Sequence, residues 1–170
     1  MESDVRPFWS PASRGLTGLA CIITAAGALV WYGRTTDAIK PECGPASLYV
    51  ALSSCGKKVS WQAVVGLLDP TGKHRIQSME DLAEAANYFG VRTRGVQANL
   101  DWMQKQDCVA VLELKNCHFV ALLGFKKSAP LISDPLFPGD KSTAIWSRAK
   151  LEDCWTGRAL LFGPDNTSQG

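Results

Sequence analysis

Apolar and polar positions change rhythm along the chain. Between residues 45 and 90 apolar side chains recur at helical spacing; beyond Gly90 they alternate or run together as strands do. In the first stretch, Pro45 marks a helix start, because proline lacks a backbone N–H and its φ suits a first turn. That helix runs to about residue 54, where Cys55-Gly56 stops it. Ser60 stands as the N-cap of a second helix over 61–68, closed by Asp69-Pro70-Thr71-Gly72. Ser78, with Asp81 three residues on, comes close to a capping box. The third helix that it opens has an apolar stripe of Leu82, Ala85, Ala86 and Phe89, and Gly90 ends it.

Residues 91–96 alternate as a strand, and Asn99 caps a short helix through Met103. Strands follow at 108–114 and 117–125, joined by a tight turn at Lys115-Asn116. Further strands are expected at 130–134, 143–146 and 158–162, with a Pro138-Gly139 loop between the first two of these. Helices first and an antiparallel meander after them predict an α+β domain, its N-terminal helices packed on one side of an antiparallel sheet.

Ahead of this domain, residues 16–32 carry no charge, and Trp31 and Tyr32 close the run where an aromatic belt would lie. Seventeen apolar or small residues reach the short end of what spans a bilayer. The segment is read as a single transmembrane helix, which places the chain in a membrane as a single-pass protein. A signal peptide cut after Ala26-Gly27-Ala28 and a buried core helix are the competing readings. Arg6 and Arg14 on one side and Arg34 and Lys40 on the other leave the orientation weakly specified. The expected organisation is a polar tail over 1–15, the anchor over 16–32, one domain over 33–163 and a tail over 164–170.

Composition narrows the function. The 170 residues carry 18 basic and 16 acidic side chains, a net charge of +2, with no basic run that would suit nucleic acid. The six cysteines form no C-x-x-C pair and no zinc-like spacing, so neither a metal nor a cofactor is expected. Only two histidines are present, His74 and His118, and any Cys–His chemistry must use one of them.

Cys43 stands just ahead of the helix opened by Pro45, where the positive end of the helix dipole favours a thiolate. Gly44 leaves room for another group to approach the sulfur. His118 lies near the start of a strand. Asp134 lies at the end of the next strand, and the turn at 126–129 would bring the two side by side. Asp134 would then hold one imidazole nitrogen and leave the other for Cys43, the nucleophile–base–orienter order of a cysteine hydrolase. Taken singly, a buried thiol, a strand histidine and an Asp-Pro turn are all commonplace; the signal lies in the three together. His74, in a polar loop, reads as solvated. Cys108 and Cys117 read as buried thiols, and Trp61, Trp102, Trp146 and Trp155 as core or cleft wall.

These residues resemble the peptidase C39 family, papain-like cysteine peptidases that remove double-glycine leaders from exported peptides. The resemblance rests on Glu42-Cys43-Gly44-Pro45-Ala46-Ser47-Leu48, on His118-Phe119-Val120, on Asp134-Pro135, and on 151–161 with Trp155-Thr156-Gly157 inside it. It covers about residues 39–162. It implies a papain-like fold, Cys43 as nucleophile, His118 as general base and Asp134 as its orienter. The substrate it implies is a peptide with small residues at the cut, and an ABC-type exporter is the partner it suggests.

One position departs from the family's pattern. Asp37 stands six residues before the cysteine, where the family usually has a glutamine that donates to the oxyanion. A carboxylate has no proton to donate there, and losing one such donor costs a factor of about 100–1,000 in rate. The alternatives are therefore a weak or inactive C39-like domain that binds leader peptides for an export system, or another thiol enzyme such as an amidase or acyltransferase. With an apolar helix before the domain and no transporter segments after it, the expected form is a stand-alone, tethered one.

Overall fold

The structure is a computed structural model that describes residues 42–73, 76–136 and 142–163. Among the described residues three helices come first: α1 (Cys43–Ser54), α2 (Trp61–Leu68) and α3 (Met79–Tyr88). After them run β1 (Thr93–Gln97), α4 (Leu100–Gln106), β2 (Val109–Leu114), β3 (Phe119–Lys126), β4 (Ala129–Ser133), β5 (Thr143–Ile145), α5 (Arg148–Cys154) and β6 (Trp155–Phe162). Among the described residues no helix is long and apolar enough to cross a membrane. Residues 16–32, the segment read as an anchor, lie outside the described residues, as do Asp37, His74 and both tails.

The predicted caps form. Ser60 accepts the Ala63 N–H at 3.1 Å, and Ser78 and Asp81 make a complete capping box. Asn99 accepts the Trp102 N–H at 2.9 Å. One boundary shifts: α1 begins at Cys43 itself, with Glu42 as its N-cap and Pro45 as its third residue. Proline is tolerated there because the first N–H groups of a helix have no intrahelical partner in any case.

The expected simple meander is corrected. All strand pairs are antiparallel, but the order across the sheet is β1-β6-β2-β3-β4-β5, so the last strand inserts between the first and second. Only β2 to β5 form a meander. The run Ala159-Leu160-Leu161-Phe162 explains the insertion: it is apolar on both faces, and only an interior strand buries both.

The sheet is also covered on both faces rather than one. Val111, Phe119, Leu160 and Phe162 look toward α1, α2 and α3, where Leu48, Leu52, Val64 and Leu82 are fully buried. Ala110, Leu112, Val120, Leu122 and Leu161 look the other way, onto Leu100 and Met103 of α4 and Leu151 of α5. Helix α5 was not predicted; at seven residues it is too short to show a periodic stripe, although Ser147 caps it by accepting the Lys150 N–H.

One buried hydrogen bond joins the two halves. Ser47, a turn into α1, donates its Oγ to the Phe119 carbonyl at the start of β3, 3.0 Å away. It fixes the N-terminal end of α1 over the strand that follows His118. Ser47→Ala should cost about 1–3 kcal/mol, because a buried carbonyl loses a donor. Urea unfolding measures this, and a change of only a few tenths would show that packing alone holds α1 in place.

Candidate active site

Three elements converge at the N-terminal end of α1. Cys43 opens the helix and is half-buried at the edge of the core. The first intrahelical bond runs from the Ala46 N–H to the Glu42 carbonyl at 3.0 Å. The Cys43 and Gly44 N–H groups are therefore helix-terminal donors with no partner along the helix. His118 precedes β3 by one residue, and Asp134 follows β4 by one. The β3–β4 hairpin pairs Ala121 with Ser133, which brings those flanking residues together.

His118 Nε2 lies 2.8 Å from Asp134 Oδ1. Both residues are buried, 6% and 5% exposed. The same Asp134 oxygen accepts the Leu136 N–H at 3.0 Å, so a turn of backbone holds it in position. The Cys43 thiol stands close enough to His118 to help raise its pKa. With Nε2 engaged by Asp134, Nδ1 is the ring nitrogen left for sulfur. The three residues singled out in the sequence thus stand in line: thiol, imidazole, carboxylate.

The electrostatics follow from this packing. Burial disfavours the charged form of His118. The hydrogen bond to Asp134 and the nearness of Cys43, with the charges of both, outweigh that and push its pKa up to about 9 from 6.5. Burial likewise works against ionised Asp134. The His118 and Leu136 hydrogen bonds and the positive charges of His118 and Lys150 hold its carboxyl below the usual 3.8. Lys150 itself is seated over the Trp146 ring, 3.5 Å from its centroid. Burial raises the thiol pKa of Cys55, Cys108 and Cys154, which keeps those sulfurs protonated and unreactive near neutrality. The five described cysteines are all free thiols.

Sequence reasoning missed Gln77. Its side chain is buried, and Nε2 donates to Glu42 Oε2 at 3.2 Å. A Cβ on Gly44 would lie 3.0 Å from Gln77 Oε1 and 3.3 Å from Gln77 Cβ, so glycine there serves a close approach by Gln77. Gln77 sits in a short loop before the Ser78 cap, in a local pattern that carries no signal for this contact. Ser47 was missed because its partner Phe119 is 72 residues away, and Lys150 because the fold, not the local pattern, brings its charge near Asp134.

The fold, α+β with helices packed on an antiparallel sheet, is like that of C39 peptidase domains. The sequence model of the peptidase C39 family matches residues 35–167, and the chain belongs to that family. Members of the family are cysteine peptidases, and the neighbours found by structure are peptidase domains of ABC transporters. One is a double glycine motif protease from an AMS/PCAT transporter in complex with the leader peptide. It is 24% identical with a TM-score of 0.62, over 76% of this chain and 88% of that one. Another is the peptidase domain of Streptococcus ComA, a bifunctional ABC transporter of a quorum-sensing pathway, at 22% identity and a TM-score of 0.61, covering 72% and 91%. A third is the N-terminal peptidase C39 like domain of a toxin secretion ATP-binding protein from Vibrio parahaemolyticus, at 18% and 0.59, covering 72% and 96%. At such identities the likeness is one of fold. No curated protein sequence matches the chain.

The shifts at His118 and Asp134 set a pH window for stability. His118 is raised, so its contribution is fully present below pH 6.5 and lost as pH rises through about 9. Asp134 is lowered, so its contribution is present above 3.8 and lost as pH falls below that value toward its folded pKa. The difference in urea midpoint between wild type and His118→Ala should therefore shrink at both ends of this window. A pH-independent difference would mean that His118 contributes only packing.

Proposed function

We propose that this domain is a cysteine endopeptidase in which Cys43 is the nucleophile, His118 the general acid–base and Asp134 the residue that orients it. The supporting observation is the buried His118–Asp134 contact of 2.8 Å, with the other side of the imidazole turned to a thiol at a helix N-terminus. In the reaction the Cys43 sulfur attacks a peptide carbonyl. The proton held between sulfur and imidazole passes from His118 to the departing amine, leaving an acyl-enzyme. His118 then takes a proton from water as the hydroxyl attacks the thioester, and returns it to sulfur. In this reading the Cys43 N–H, at the positive end of α1, would donate to the oxyanion.

The substrate reading is a leader-type peptide with small residues at the cut. It is supported by family membership and by a neighbour that is itself a leader-peptide complex. An ABC-type exporter is the corresponding partner, and residues 16–32 would tether the domain to the same membrane.

Iodoacetamide tests the site before any substrate is known. At pH 7 it should label Cys43 ahead of Cys55, Cys108 and Cys154, as read by peptide mass mapping. His118→Ala should erase that preference. Indiscriminate labelling of wild type would instead favour a C39-like module that only holds peptides. With a cleavable peptide in hand, Cys43→Ala should abolish turnover with the fold intact. His118→Ala should lower kcat/KM by about 100- to 10,000-fold, the usual contribution of a general acid–base.

A further inference from the structure

Helix α5 lies alongside the His118–Asp134 pair and is tied down at both ends. Just ahead of it, the Trp146 N–H donates to the Pro130 carbonyl of β4 at 2.9 Å. At its far end the Cys154 carbonyl accepts the Lys115 N–H at 2.8 Å, in the turn that leads to His118. Lys150 stands between these two ties and is exposed. Its ammonium is seated over the Trp146 ring, 3.5 Å from the centroid, and Trp146 is itself buried. The face of an indole holds a cation without neutralising it. Arg148 of the same helix is paired with Asp101 and Glu152, and Lys115 donates its Nζ to the Asp153 carbonyl. Lys150 makes no ion pair among the described residues, although its charge reaches Asp134. A seated, unpaired ammonium therefore stands beside the carboxylate end of the thiol–imidazole–carboxylate line.

We propose that Lys150 selects peptides that carry an acidic side chain just after the cut. The inference deepens the peptidase reading above and rests on it. In that reading His118 gives its proton to the departing amine, so the departing half of the peptide lies on the imidazole's side of the sulfur. Lys150 flanks that side, whereas the acyl half stays on Cys43. A carboxylate in the first residues of the departing half meets the ammonium there. Asp134 does not take its place as a partner, because His118 and the Leu136 N–H already hold that carboxylate. The seat on Trp146 also limits the side-chain freedom that an exposed ion pair usually gives up.

Two esters with the same acetyl group and different leaving groups read this in the full chain. 4-Acetoxy-3-nitrobenzoate departs as a phenol that carries a carboxylate; 4-acetoxy-3-nitrobenzamide departs as a neutral one. Thiolate attack leaves acetyl on Cys43 and releases the coloured nitrophenolate, and each rate is taken after subtracting that of Cys43→Ala. The readout is the ratio of the anionic ester's rate to the neutral ester's. Lys150→Gln should lower this ratio about two- to fivefold at low salt, the range of one exposed ion pair. Lys150→Glu should lower it further, and Lys150→Arg, which keeps a cation able to stack on Trp146, should restore it. In wild type the ratio should fall toward that of Lys150→Gln as salt rises to about 1 M, where charges are screened beyond about 3 Å. The salt series on wild type decides the matter even if Lys150→Gln does not fold. A ratio unchanged in Lys150→Gln, a fall of equal size in Lys150→Arg, or a wild-type ratio indifferent to salt would overturn the proposal. A purely structural role would slow both esters alike and leave the ratio where it was. Wild type that releases neither phenol in a Cys43-dependent way would overturn the peptidase reading itself, and this inference with it.

Discussion

Burying an imidazole and a carboxylate together is the constraint around which this domain is arranged. Either group alone, as little exposed as His118 and Asp134 are, would give up its charge or destabilise the fold. At 2.8 Å, with a backbone N–H also on Asp134, each supplies the countercharge and hydrogen bond that the other lost on leaving water. The pair needs two strand ends held side by side, and the β3–β4 hairpin provides them. A sulfur against the remaining face of the imidazole needs a helix pinned over the same hairpin. The Ser47–Phe119 hydrogen bond and the packing of Leu48 and Leu52 supply that. The apolar core is large, but its consequence for chemistry passes through these few polar contacts.

The two-faced sheet serves the same end. A strand histidine is held rigidly only when its sheet cannot flex, and β2, β3 and β6 are interior strands packed on both faces. Insertion of β6 between β1 and β2 ties the last described strand to the first. Helix α5, which precedes β6, carries Lys150 toward Asp134, so closing the sheet also sets the charge around the pair.

Much of this was legible in the sequence where the signals are local. Caps at Ser60, Ser78 and Asn99, the helix start near Cys43, and the strand character after Gly90 depend on neighbours a few residues apart, and the structure has them all. The conjunction of Cys43, His118 and Asp134 could be reached because a hairpin fixes which strand ends meet. Strand order could not. Nothing local in Ala159-Leu160-Leu161-Phe162 says which two strands it will separate, although its unbroken apolarity does say that it is interior. Helix α5 was lost because about two turns, seven residues, are too few to show a period. Gln77 was invisible for a different reason: its role depends on the missing side chain of Gly44, across a gap of 33 residues, and an absent atom leaves no pattern.

Charge at the thiol shows how closely the polar contacts are matched. Two carboxylates stand near Cys43, Glu42 on its own chain segment and Asp134 through His118. An anion-stabilising helix end would attract either. Asp134 is kept in place by the imidazole and the Leu136 N–H, and Glu42 by the Gln77 amide.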